Sequence, residues 1–212
     1  MAPTHRSSPR CPGLRPQLRV LPTPPYNPLA QQHLPGETSS HVTPEASLPP
    51  RRAADSATEM AELVLPHHAN VHGSVLGGTV MHWIDLAAAV VANRHSRRPV
   101  VTAAIDEMSF QAPILVGQLA LLRARITFVD RSSMEIRVDV DSEDLLTGER
   151  RHTSTAYVTF VAIDPTTRRP IGVPPLTLET DEELKENARA KERRETRLKR
   201  RDQLRAGTVN TR

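Results

Sequence analysis

The longest apolar pattern in the chain runs from Thr79 to Arg94, with apolar residues at 80, 81, 83, 84, 87, 88, 90 and 91. The run is free of proline and rich in alanine, so it predicts a helix of about four turns. Apolar side chains then cover most of its circumference, the pattern of a helix enclosed by the rest of its fold. One carboxylate, Asp85, stands in its middle. An ionised carboxylate held away from water is costly unless donors or a function offset the cost. The plain alternative is a narrow polar stripe of His82, Asp85, Ala89 and Asn93 turned to solvent or to a neighbouring subunit.

Strand patterns surround this helix. Met60 to Leu65 reads as a first strand ended by Pro66, and Val100 to Met108 follows the helix beyond Pro99. Gln118 to Asp130 reads as a long strand, and Met134 to Glu143 alternates through Ile136, Val138 and Val140. Thr153 to Ile163 is the last. Turn residues at 111–113, 130–132 and Thr147-Gly148 separate them. One strand, one helix and a series of strands that can pair antiparallel make an α+β plan with the sheet wrapped around the helix. Pro174-Pro175 ends that region. Thr180 to Ala206 predicts a second, highly charged helix, with Thr180 as its N-cap and acidic residues in its first turn. Its basic part, Lys191 to Arg205, reads as a solvated helix held by i to i+4 ion pairs. A nucleic-acid arm is disfavoured because the segment has no aromatic residue on which a base could stack.

Composition places the boundaries. Twelve of the 19 prolines fall in residues 1–50, a stretch without sustained periodicity, so residues 1–58 are expected to be a disordered extension. Residues 59–175 form the expected domain and 176–212 the charged helix and tail. Net charge is +2 over residues 1–59, −2 over 60–180 and +4 over 181–212, summing to the +4 of the chain. The basic excess therefore belongs to the termini, which argues against a nucleic-acid grip by the domain itself. The single cysteine, Cys11, permits no intrachain disulfide. No stretch is apolar and long enough to span a bilayer, so a cytoplasmic protein is expected. Residues 1–36 contain no Asp or Glu, a bias shared with transit peptides, and a natural start at Met60 is a further reading of the same segment.

Gly77 and Gly78 open the central helix. Residues without a Cβ let a ligand approach the free N–H groups of a helix start, where developing negative charge is favoured, as an oxyanion site requires. A tight turn would use the same pair. The chain has no G-x-S-x-G elbow and no G-x-G-x-x-G or Walker loop. His67, His68 and His72 lack a familiar zinc spacing, so no metal is expected.

The ordered set Asn70-Val71-His72-Gly73, Gly77-Gly78, Trp83-Ile84-Asp85, Val101-Thr102-Ala103, Phe110-Gln111-Ala112-Pro113, Gly117, Arg131-Ser132-Ser133-Met134-Glu135 and Phe160-Val161-Ala162-Ile163-Asp164 resembles the hotdog-fold acyl-CoA hydrolases. The resemblance covers about residues 60–175. It implies a single hotdog domain that hydrolyses fatty acyl-CoA to fatty acid and coenzyme A. No cofactor is implied, since coenzyme A is part of the substrate. Asp85 would act as general base or nucleophile, Asn70 would orient water or the carbonyl, and Gly77 and Gly78 would polarise the carbonyl. In the family the matching Asn and Asp come from opposite subunits, which implies a homodimer and, beyond it, a trimer of dimers. Arg131, Ser132 and Ser133 are candidates for binding coenzyme A, or else an ordinary hairpin turn. Phe110 and Pro113 either shape an acyl tunnel or belong to the core. Two alternatives stay open: a hydratase-like His72–Asp85 dyad, and a non-catalytic acyl-CoA-binding regulator.

Overall fold

Two helices grip one five-stranded sheet from opposite faces. The structure, a computed structural model, describes residues 48–106 and 108–209. Expectations for residues 1–47, Cys11 among them, lie outside the described residues. In chain order the elements are β1 (Arg51–Arg52), β2 (Thr58–Leu63), a 3-10 turn (Pro66–His68), α1 (Gly77–Ser96), β3 (Val100–Ile105), β4 (Leu119–Val129), β5 (Ser133–Glu143), β6 (Arg150–Ala162), β7 (Leu176–Thr177) and α2 (Asp181–Val209). The main sheet has the order β2-β4-β5-β6-β3, antiparallel throughout. This is the α+β plan read from the sequence, a curled sheet around α1.

Strand alternation sorts the two faces. Met134, Ile136, Val138 and Val140 of β5, Leu122, Ala124 and Ile126 of β4, and Ala156, Val158 and Phe160 of β6 are buried in one core. That core also takes Val80, Trp83, Ile84, Ala87, Ala88, Val91 and Ala92, one helical stripe of α1. The expectation that α1 is enclosed all round holds for this stripe only. Met81, Leu86 and Val90 on its other side are 40%, 45% and 41% exposed within one chain.

The outer face of the sheet carries charge, and α2 lies on it. This corrects the reading of a solvated helix with i to i+4 pairs, because most partners of its arginines lie on the sheet or in the segments that end its strands. Arg193 reaches Glu135 at 2.8 Å and Glu186 at 2.7 Å, while Arg137 of β5 reaches Glu186 at 3.3 Å. Arg197 contacts Asp106 at 2.6 Å and Glu135 at 2.9 Å, and Arg194 pairs with Asp130. The Asn187 amide donates to the Thr127 carbonyl, and the Arg193 guanidinium lies 3.6 Å from the centre of the Tyr157 ring. Ala190, Glu186 and Glu135 are buried as a result. The expected cap is present: Thr180 Oγ1 accepts from the Glu183 N–H at 3.1 Å and a Glu183 carboxylate oxygen accepts from the Thr180 N–H at 3.2 Å.

The boundaries at 58 and 175 also shift outward. β1 pairs in parallel with β7, Arg51 opposite Leu176 and Arg52 opposite Thr177. Ala53 and Ser56 are buried. Arg51 donates through one guanidinium nitrogen to the carbonyls of Arg94 and His95 at 2.9 and 2.8 Å, a cation placed at the negative end of α1. Two-residue strands have no period to read, so the sequence showed neither. Met60 lies inside β2, opposite Leu122, and a chain starting there would lack β1 and the first residues of β2.

Candidate active site

Asp85 lies on the flank of α1 and is half-buried. Its Oδ1 accepts a 2.7 Å hydrogen bond from the Thr102 hydroxyl, and among the described residues no other hydrogen bond reaches the carboxylate. Oδ2 is therefore available to a ligand or a water. Thr102 belongs to β3, an edge strand whose other side is unpaired among the described residues. A bulge between Thr102 and Ala104 interrupts its pairing with β6, and such an extra residue re-aims the side chains beside it. The same two elements carry exposed apolar side chains: Met81, Leu86 and Val90 of α1, and Val101 and Ile105 of β3.

Asn70 stands elsewhere in the chain. Its Oδ1 accepts from the His72 N–H at 2.9 Å and its Nδ2 donates to Ser74 Oγ at 3.1 Å, an Asx-type turn that closes the loop before α1. Among the described residues no hydrogen bond joins Asn70 to Asp85. Asn70 sits in the loop before α1, while Asp85 lies eight residues, about 12 Å of helix, beyond Gly77.

Gly77 and Gly78 are exposed at the start of α1. The first bonds into the helix run from Thr79 and Val80 to the Leu76 carbonyl, so the two glycine N–H groups find no acceptor among the described residues, as expected of a helix start. A cavity of ≈ 330 Å³ opens beside them, lined by Ser74, Val75, Val80, Phe110, Pro113 and Ile114 among others. A Cβ on Gly77 would lie 3.4 Å from the Phe110 ring, so the glycine permits that close approach. Phe110 is 47% exposed, which places it at the rim of this cavity rather than in the core.

The Arg131-Ser132-Ser133 turn joins β4 to β5. The Ser132 carbonyl accepts from the Ala162 N–H and that of Arg131 from the Val173 N–H. Ser133 pairs with Val161 of β6, and Val161 pairs on its other side with Val101. Two strand spacings, about 10 Å, thus separate the turn from the neighbour of Thr102. His68 is occupied structurally: its Nδ1 accepts from the Leu65 N–H at 3.2 Å and its ring stands edge-on to Trp83. His72 is exposed in the loop and does not meet Asp85. Among the described residues no group of three or more His, Cys, Asp or Glu is placed to hold a metal ion, and no helix among them is long and apolar enough to cross a membrane.

A family profile described as the thioesterase superfamily matches residues 72–149. The chain is 39% identical over 142 residues to YkhA, an uncharacterised acyl-CoA thioester hydrolase of Bacillus subtilis, covering 67% of this chain and 80% of that one. The chain belongs to the thioesterase superfamily. It is 33% identical over 146 residues to the rat cytosolic acyl coenzyme A thioester hydrolase, of which it spans 38%. The fold superposes on a hexameric acyl-CoA thioesterase with a TM-score of 0.69 at 38% identity, covering 72% of this chain and 97% of that one. It also superposes on the acyl-CoA hydrolase of Staphylococcus aureus, solved with butyryl-coenzyme A and coenzyme A, with a TM-score of 0.70 at 31% identity over 75% and 96% of the two chains. Three alanine variants of the staphylococcal enzyme superpose likewise: one of an Asn, one of an Asp 15 residues later, and one of a Thr 17 residues beyond that. Asn70, Asp85 and Thr102 stand at those same separations. The sequence reading placed Thr102 in a matching segment without giving it a role. The signal available was its spacing from Asp85, whose meaning depends on the register of β3.

Proposed function

We propose that this member of the thioesterase superfamily hydrolyses acyl-CoA thioesters, including those of fatty acids, with Asp85 as the group that activates water. One observation carries the reading. The Asp85 carboxylate is tethered at one oxygen by Thr102 and, among the described residues, free at the other, and it lies on a largely apolar helix beside the edge strand of the sheet.

A water bound at Oδ2 loses its proton to the carboxylate as its oxygen attacks the thioester carbonyl carbon. The carbonyl oxygen becomes an oxyanion, and the paired N–H groups of Gly77 and Gly78 suit that charge. Collapse of the intermediate breaks the C–S bond, and the coenzyme A thiolate takes the proton back from Asp85. Attack by Asp85 itself to form a mixed anhydride uses the same atoms and differs in which oxygen forms the first bond.

Within one chain Asn70 and Asp85 stand on different elements and bond to different partners. The bare apolar side of α1 and the open edge of β3 supply a surface for a second copy, whose Asn70 and glycine pair would complete the site. The hexameric assembly of a similar thioesterase supports the same reading, as does the arrangement expected of the family. In it the Arg131-Ser132-Ser133 turn receives part of coenzyme A, no cofactor is needed, and the location is cytoplasmic, like that in the name of the rat relative.

Release of free thiol from butyryl-CoA by the full-length chain tests the activity. Asp85→Asn keeps the shape, removes the charge and lowers the rate on the order of 10²-fold or more, the usual loss of a general base. An Asp85→Asn protein that melts normally and turns over at the wild-type rate would falsify the assignment. A wild-type protein that binds acyl-CoA without turnover would identify a non-catalytic binder.

A further inference from the structure

The hydrogen bond that orients Asp85 comes from a strand with weak means of holding its own position. β3 has six residues, one neighbour and a bulge immediately after Thr102. Edge strands bonded on one side are prone to fray, and a bulge leaves a residue out of the ladder. The far end of β3 is nevertheless held firmly. The Asp106 N–H donates to the Tyr157 carbonyl at 3.0 Å, and its carboxylate receives Arg197 of α2 at 2.6 Å. The same Arg197 nitrogen also donates to Glu135 at 2.9 Å. Glu135 is 1% exposed and is fixed in turn by the Thr127 hydroxyl at 2.9 Å and by Arg193 at 2.8 Å. A rigid anchor in the middle of the sheet thus reaches, through one guanidinium, the end of the strand that carries Thr102.

We propose that Arg197 is a positioning residue of the active site: by holding Asp106 it fixes the bulged edge strand β3, and with it the Thr102 hydroxyl that orients Asp85. Among the described residues the side-chain bonds of Arg197 go to Asp106 and Glu135, and none goes to Asp85 or Thr102. Thr102 and Asp106 stand four positions apart, about 13 Å of strand. The inference rests on the hydrolase reading above, and it gives the charged C-terminal helix a part in chemistry although none of its residues enters the site. A site group displaced by a fraction of an ångström to an ångström loses rate without losing substrate affinity.

The test uses the full-length chain, thiol release from butyryl-CoA, and thermal melting. Arg197→Gln is expected to lower kcat about tenfold with KM unchanged, a displacement short of the hundredfold that a 1 Å error can cost. Arg197→Lys keeps a cation beside Asp106 and is expected to recover most of the rate. Thr102→Val removes the hydroxyl and lowers kcat directly; adding Arg197→Gln to it should cost nothing further, because the second change acts only through the first. A helix that merely stabilised the fold would lower melting in every background and leave kcat of the folded fraction alone.

The proposal is overturned if folded Arg197→Gln keeps the wild-type kcat, if Thr102→Val does so, or if their losses multiply. Should Arg197→Gln fail to fold, Asp106→Asn carries the same expectations and spares the Arg193 and Glu186 anchors of α2. The fold should tolerate it, since burial already pushes the Asp106 carboxyl above its ordinary range against the pull of Arg197. Failure of the hydrolase reading looks different: there Asp85→Asn itself keeps full rate.

Discussion

The two helices hold the same sheet by opposite means. α1 presents an apolar stripe to the inner face, and every contact there is a loss of water from hydrocarbon, without direction and tolerant of small shifts. α2 presents Glu186, Asn187, Arg193 and Arg197 to the outer face, where contact requires each charge to meet a particular partner. Non-directional packing suits the helix that builds the core. Directional pairing suits the helix that must stop at one register over the strands. The first kind is written in a helix's own sequence. The second is shared between the helix and sheet residues 49 or more positions away.

The sharpest test of the contrast is on the inner face. Ile84 is 1% exposed, and Ile84→Ala should cost about 2–5 kcal/mol in urea unfolding, the transfer loss plus an unfilled cavity. Next comes the outer face, where Glu135→Ala leaves Arg193 and Arg197 facing no central carboxylate. Removing one partner of a fully buried pair costs about 3–5 kcal/mol. The two arginines are 22% and 20% exposed, so water recovers part of this and roughly 2–3 kcal/mol is expected. Equal costs for Glu135→Ala and an exposed-charge control would show that α2 is only loosely laid on the sheet.

A smaller effect on folding is expected on the bare side of α1. Leu86→Glu or Val90→Glu should change the stability of the isolated chain by less than about 0.5 kcal/mol, yet light scattering should show the assembly broken and the thiol-release rate gone. An active monomer would contradict a shared site.

The smallest effect concerns His95 at the end of α1. Its ring is fully buried, Nε2 lies 2.9 Å from the Pro174 carbonyl, and among the described residues Nδ1 has no partner. A carbonyl only accepts, so Nε2 carries the proton and Nδ1 is bare. Burial lowers the pKa below the ordinary 6.5, outweighing the Pro174 hydrogen bond that would raise it. Above pH 6.5 the ring is neutral folded and unfolded, and its contribution is complete. As pH falls below 6.5 the unfolded ring takes up a proton that the folded one resists, so stability declines until the folded pKa is passed. His95→Gln should flatten that part of the stability–pH curve.

Much of the architecture was legible because it is periodic. The helix expected over 79–94 is Gly77–Ser96, and the strand expected over 134–143 is Ser133–Glu143. β3 ends at Ile105, short of the expected Met108. Asp85 and the glycine pair stood out as exceptions within an apolar run. Thr102 did not, since a threonine in a strand is ordinary until the register places its hydroxyl 2.7 Å from a carboxylate 17 residues back. The docking of α2 was hidden for the same reason: Arg125, Arg137 and Glu135 alternate correctly for a wet outer face, and only the fold shows that a helix covers them.

The β1–β7 pair also bears on the order of events in folding. Arg51 and Leu176 stand 125 positions apart, and the ladder between them is two residues long on each side. A contact so distant along the chain and so small cannot form until the large sheet has brought its ends together. It therefore closes last and opens first. Each opening also withdraws Arg51 from the carbonyls of Arg94 and His95, so the last turn of α1 should exchange its amide hydrogens on the timescale of the clasp, well ahead of the turn that carries Asp85.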